Sequence, residues 1–130
     1  LAYGANCGVG ASDLLRTVLG FKAQGTERPI VAKGNAGIPK YVDGHIHYDG
    51  TPELMADYAC LARDAGATII GGCCGTMAEH LSKMRAALEE RPRGPAPTLE
   101  QITEALGAFS STADGTGDDT PAPRRNRRRG

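Results

Sequence analysis

Residues 67–81 read ATIIGGCCGTMAEHL: a short uncharged run, two adjacent cysteines between glycines, then a pattern of helical period. The run ATIIGG suits a strand buried on both faces, as in a parallel sheet. Thr76 and Glu79 have the spacing of a capping box, and Met77, Leu81, Met84 and Leu88 mark one helical stripe. Two similar units precede this one. LAYGANC (1–7) reads as a strand and is followed by a helix that Ser12 caps, with Leu14, Leu15, Val18 and Leu19 at helical spacing. RPIVAKGN (28–35) is the next strand. Thr51-Pro52 starts the next helix, Leu54, Tyr58, Leu61 and Ala62 form its inner face, and Gly66 stops it. The order β-α-β-α-β-α predicts an α/β fold with parallel strands and right-handed crossovers. Three strands are few for a barrel of about 250 residues. The chain, which starts without Met in apolar sequence, is therefore expected to be the C-terminal part of a larger α/β protein.

Composition excludes several classes. The 130 residues carry 15 basic and 15 acidic side chains, so net charge is zero and nothing asks for nucleic acid. No apolar run approaches the roughly 20 residues of a membrane span, and the start has no signal-peptide pattern. A cytoplasmic, reducing setting follows for the four cysteines, where clustered thiols bind metal or do chemistry rather than pair. Composition shifts near residue 91. Residues 1–91 are expected to form the folded part. Residues 92–130 hold Pro92, Pro95, Pro97, Pro121 and Pro123 and five arginines among the last seven positions, and read as a largely disordered, solvated tail. One short helix is expected in TLEQITEALGAF (98–109), with Leu99, Ile102 and Leu106 on one face.

Parallel strands bring their C-terminal ends to one side, where α/β enzymes build their sites. Cys7, Asn35 and the pair Cys73–Cys74 all follow strands. Glycines 71, 72 and 75 allow sharp turns there. Three thiolates with a vacant fourth position would make a catalytic zinc site. The spacing alone equally allows three small residues packed at a sheet rim, since there is no C-x-x-C pair. Cys60 lies mid-helix and reads as a buried hydrophobe. His45 and His47 in DGHIHYDG compete as ligands but read as part of a solvated or substrate-covering loop. His80 reads as structural. GNAGIPK (34–40) lacks G-x-G-x-x-G and supports nucleotide binding only weakly.

GANC (4–7), GNAGIP (34–39) and YDGTPELMADYACLARDAGATIIGGCCGT (48–76), in that order, resemble the homocysteine S-methyltransferase family over about residues 1–90. The resemblance implies a (β/α)8 barrel, of which this chain would supply strands six to eight with their helices. It implies a zinc ion held by Cys7, Cys73 and Cys74, with no catalytic residue beyond these ligands. The partners it implies are homocysteine and a small methyl donor, with no nucleic acid or membrane, and a homo-oligomer is allowed. The implied reaction is methyl transfer to the homocysteine thiol, forming methionine, with betaine or a related onium compound as donor. The departure is truncation: five strands of the family's barrel have no counterpart here, so the fragment is expected to be inactive alone. The homocysteine-binding part of a split cobalamin-dependent methionine synthase, a zinc-stabilised scaffold protein and a vicinal-dithiol redox sensor are the alternatives.

Overall fold

The computed structural model describes residues 1–7, 10–25, 27–37, 40–107 and 109. Three strands, β1 (Tyr3–Asn6), β2 (Ile30–Gly34) and β5 (Ile69–Gly72), form a parallel sheet in the order β1-β2-β5. Tyr3 pairs with Ile30 and Val31 with Ile69, so the register runs straight across. Three helices, α1 (Ala11–Ala23), α2 (Pro52–Ala65) and α3 (Ala78–Glu90), follow the three strands in turn. This is the α/β arrangement expected from the sequence.

Local chemistry explains the boundaries. Thr51 Oγ1 accepts the Leu54 N–H at 3.1 Å, Pro52 takes the first helical position, and Gly66 ends α2 in the left-handed region at φ 113°. The other two helices begin differently from expectation. Gly10, not Ser12, is the N-cap of α1, and Ser12 is buried within the first turn. A glycine enters the helix without a side chain to accommodate, so the serine is displaced inward. At α3 the N-cap is Met77 rather than Thr76, and the His80 ring accepts the Met77 N–H at 3.1 Å. Thr76 Oγ1 is instead buried with no hydrogen-bond partner.

The core lies between the sheet and the helices. On β2, Ile30, Ala32 and Gly34 are buried while Lys33 is exposed. They meet Leu15 and Val18 of α1 and Met55, Tyr58 and Ala62 of α2, all essentially inaccessible. The Tyr58 hydroxyl accepts the Gly34 N–H at 3.0 Å, satisfying a buried donor at the end of the central strand. The stripe expected on α3 is only half covered. Met84 is buried, whereas Met77 and Leu81 are 68% and 48% exposed, as is Ile69 on β5 at 51%. Periodicity marked one face of α3, but its first turn leaves Met77 and Leu81 largely open to solvent.

One feature differs from expectation, and another lies where it was expected. Residues read as a long loop form an antiparallel hairpin, β3 (Lys40–Val42) and β4 (His45–His47). Asp43 and Gly44 turn it with φ 51° and 80°, the two positive values that a type I′ turn requires. The helix expected within 98–109 is α4 (Leu99–Leu106), capped by Thr98 and Gln101. It packs across α1 and α2 and buries Ile102 completely, while Leu99 stays exposed. Beyond it, Phe109 lies under the Arg16 guanidinium at 4.3 Å. Of the tail expected over 92–130, residues 108 and 110–130 lie outside the described residues. Among the described residues no helix is long and apolar enough to cross a membrane.

Candidate metal centre

Every loop that leaves the sheet at its C-terminal side is tied to the end of β2. Cys7 N–H donates to the Lys33 carbonyl at 3.0 Å, and Cys73 N–H donates to the Gly34 carbonyl at 2.9 Å. Asn35, buried at 3%, accepts the Cys74 N–H on its Oδ1 at 3.1 Å. The next residue, Ala36, donates its N–H to the Cys74 carbonyl at 3.0 Å. The central strand thus holds β1 on one side and the cysteine pair on the other.

Backbone conformation then turns the thiols inward. Cys7 adopts φ 62°, a left-handed geometry uncommon outside Gly, Asn and Asp. Such a residue costs about 1–3 kcal/mol and persists where surrounding structure enforces it. Gly75, at φ 77°, closes the turn after the pair, in which Thr76 N–H donates to the Cys73 carbonyl at 3.2 Å. A Cβ at Gly75 would overlap the Tyr48 ring, so both its φ and its bareness are used.

The result is a cluster of three sulfurs, Cys7, Cys73 and Cys74, all within 4.8 Å of one another. Cys7 Sγ and Cys74 Sγ are 3.4 Å apart, Cys73 Sγ and Cys74 Sγ 4.0 Å, and Asn6 Nδ2 lies 4.0 Å from Cys73 Sγ. Cys7 and Cys73 are half-buried, Cys74 is exposed, and none is in a disulfide. Hydrogen bonding to Cys7 and Cys73, and then their like charge, pushes the Cys74 thiol above its ordinary value. Three thiolates this close repel, and a cation among them removes that penalty. Soft sulfur donors, three in number and open to solvent on one side, fit a zinc-type ion with a position left for substrate.

The other residues singled out in the sequence lie elsewhere. Cys60 is buried against Ala56 and Ala87 in the seam between α2 and α3. His45 is exposed on the hairpin and contributes to no metal-ligand cluster among the described residues. The side chain of His47 lies outside the described residues. His80 is a clamp: with Nδ1 accepting from Met77, Nε2 carries the proton and donates to the Gly50 carbonyl at 2.8 Å. His80→Ala removes both bonds, so it is expected to lower stability by about 1–2 kcal/mol. Thermal unfolding of the variant checks this, and an unchanged midpoint would show that the clamp carries no weight.

Tyr48 was missed. It stands between the hairpin and α2, half-buried, with its ring against Gly75, in the turn that follows the cysteine pair. Burial first, then the neighbouring Cys74, raises this phenol above its ordinary value. Only its place one residue before Asp49-Gly50, in a loop already suspected of covering substrate, hinted at a role.

Residues 1–88 match the homocysteine S-methyltransferase family. The matched span contains all three clustered cysteines, Asn35 and Tyr48.

Proposed function

The chain belongs to the homocysteine S-methyltransferase family, and from that premise we propose that it serves zinc-dependent methyl transfer to homocysteine, with Cys7, Cys73 and Cys74 holding the ion. The observation that carries this reading is the gathering of those three sulfurs within 4.8 Å at one end of a parallel sheet. When bound, zinc supplies a Lewis acid that favours the thiolate form of a substrate sulfur at neutral pH.

The chain's own residues do the positioning. The Lys33 and Gly34 carbonyls and the Asn35 side-chain oxygen fix the two cysteine loops by accepting their backbone N–H groups. The exposure of Cys74 leaves the cluster accessible from solvent. The homocysteine sulfur attacks a methyl carbon, forming the new S–C bond. The bond from that carbon to the donor breaks, its electron pair leaves with the donor, and the thiol proton passes to solvent. A methyl group on positively charged nitrogen or sulfur suits this step, because the leaving group departs neutral. Betaine or a related onium compound is therefore the proposed donor.

The proposed setting is a (β/α)8 barrel in which β1, β2 and β5 stand as strands six to eight. Consecutive parallel neighbours in the order β1-β2-β5 support it. So do Ile69, Met77 and Leu81, exposed apolar residues on the last β/α unit that a further unit would cover.

Elemental analysis and product assay of the full-length protein test the reading together. We expect one zinc per chain, methionine from homocysteine with an onium donor, loss of both on chelation, and recovery with zinc. Cys60→Ala is expected to keep the full zinc content, because its sulfur belongs to the α2–α3 seam. Turnover that survives complete metal removal would sink the zinc reading. Turnover from methylcobalamin alone would point instead to a split methionine synthase.

A further inference from the structure

We propose that Lys33 is a specificity-determining residue beside the thiol centre, its ammonium taking the carboxylate of a small zwitterionic substrate. The inference rests on the reaction proposed above and names the group of this chain that recognises the part of the substrate the sulfurs do not.

The alternation of β2 sets Lys33 apart. Ile30, Ala32 and Gly34 turn toward the helices and are buried, so Lys33 stands on the opposite face of the sheet, where it is exposed. Register places it in one row with Asn6 of β1 and Gly71 of β5. That row runs beneath the sulfurs. The Asn6 amide reaches to 4.0 Å from Cys73 Sγ, and the Lys33 carbonyl accepts the Cys7 N–H. Gly71 gives the lysine room. A Cβ built there would stand 3.8 Å from Lys33 Cγ, so the stem leans over bare backbone of β5, the strand that leads into the cysteine pair.

The row offers the ammonium no counter-charge. Asn6 is neutral and Gly71 has no side chain, and among the described residues no carboxylate pairs with Lys33. The inner face of a parallel barrel is filled mainly by bulky branched side chains. A cation enclosed there without a partner is costly, and a bound anion offsets the cost. Homocysteine and betaine each carry a carboxylate beside a positively charged nitrogen. Three thiolates around a divalent cation hold a reacting sulfur, but their net negative charge repels a carboxylate. Lysine is a point charge on a flexible four-carbon stem, able to follow an anion lying beside the sulfurs. Lys33 supplies that attraction at the same end of the sheet.

Calorimetric titration of the zinc-loaded full-length protein reads the proposal through binding. The titrants are homocysteine and 3-aminopropane-1-thiol, which is homocysteine without its carboxylate. Lys33→Gln keeps the backbone carbonyl that anchors Cys7 and removes the charge from an exposed position. It should weaken homocysteine about 10–100-fold, the size of one hydrogen bond to a charged group, and leave the carboxylate-free thiol at its wild-type affinity. If homocysteine is unaffected but the KM for betaine rises by that factor with kcat kept, the carboxylate that Lys33 takes is the donor's. Equal weakening of both thiols would overturn the proposal, since Lys33 would then act on the site as a whole. Wild-type values for homocysteine and betaine alike would also overturn it and leave Lys33 a solvated or internally paired charge. A wild-type protein that binds neither thiol would overturn the proposed reaction itself, and the role of Lys33 with it.

Discussion

Cys73→Ser in the full-length protein is expected to abolish methionine formation and empty the metal site, while the far-ultraviolet circular dichroism spectrum stays that of wild type. The fold survives because Cys73 is tied to β2 through its backbone N–H, which serine keeps. Its side chain is only half-buried, and the change is one atom. The site does not survive, because two sulfurs and a hydroxyl make a much weaker donor set than three sulfurs. Homocysteine is then left as a free thiol. With an ordinary thiol pKa of about 8.5, only a few per cent is thiolate at neutral pH. Positioning alone can still support a slow residual rate. A variant that lost its metal yet kept near-wild-type turnover would remove thiolate activation from the mechanism.

Ile102→Ala should cost about 2–5 kcal/mol of stability, the range for truncating a fully buried aliphatic side chain. Ile102 is completely inaccessible, and α4 carries it onto α1 and α2. Urea unfolding of the full-length protein measures the loss. A solvated arm predicts a different result, a change within about 0.5 kcal/mol, as for most surface substitutions. The two outcomes are far enough apart to decide whether α4 belongs to the folded body.

What could be read in the sequence depended on how local its cause was. Thr51, Pro52 and Gly66 act through bonds within one or two turns, and the helix they delimit lies where their order placed it. The hairpin has an equally local cause in Asp43-Gly44, a pair suited to the two positive φ values of its turn. The α3 cap was misplaced because histidine at the third helical position took the role assigned to Glu79. Met77 and Leu81 show a different limit, since periodicity identifies a face but not its neighbour. The thiol cluster was the least local feature. Cys7 and the Cys73–Cys74 pair share no spacing rule, and only the parallel order of strands, together with the family resemblance, suggested that they meet. Tyr48 is barely legible, because its place against Gly75 depends on where the hairpin returns the chain.

The central strand contributes no sulfur, yet it sets the distance between those that do. Cys7 and Cys73 hang from adjacent carbonyls of β2, Lys33 and Gly34, and Asn35 follows directly to hold Cys74. A one-residue slip in a strand reverses the face of every side chain along it. Inserting or deleting a residue between Ile30 and Asn35 would therefore bury Lys33 and aim the asparagine away from the pair. The Asp43–Gly44 turn has no such duty, and its exposed tip can change length without shifting any ligand. Length variation in this protein is thus confined by its thiol centre: six residues of β2 and its exit are a fixed ruler, and the hairpin a few positions later is where the chain is free to grow.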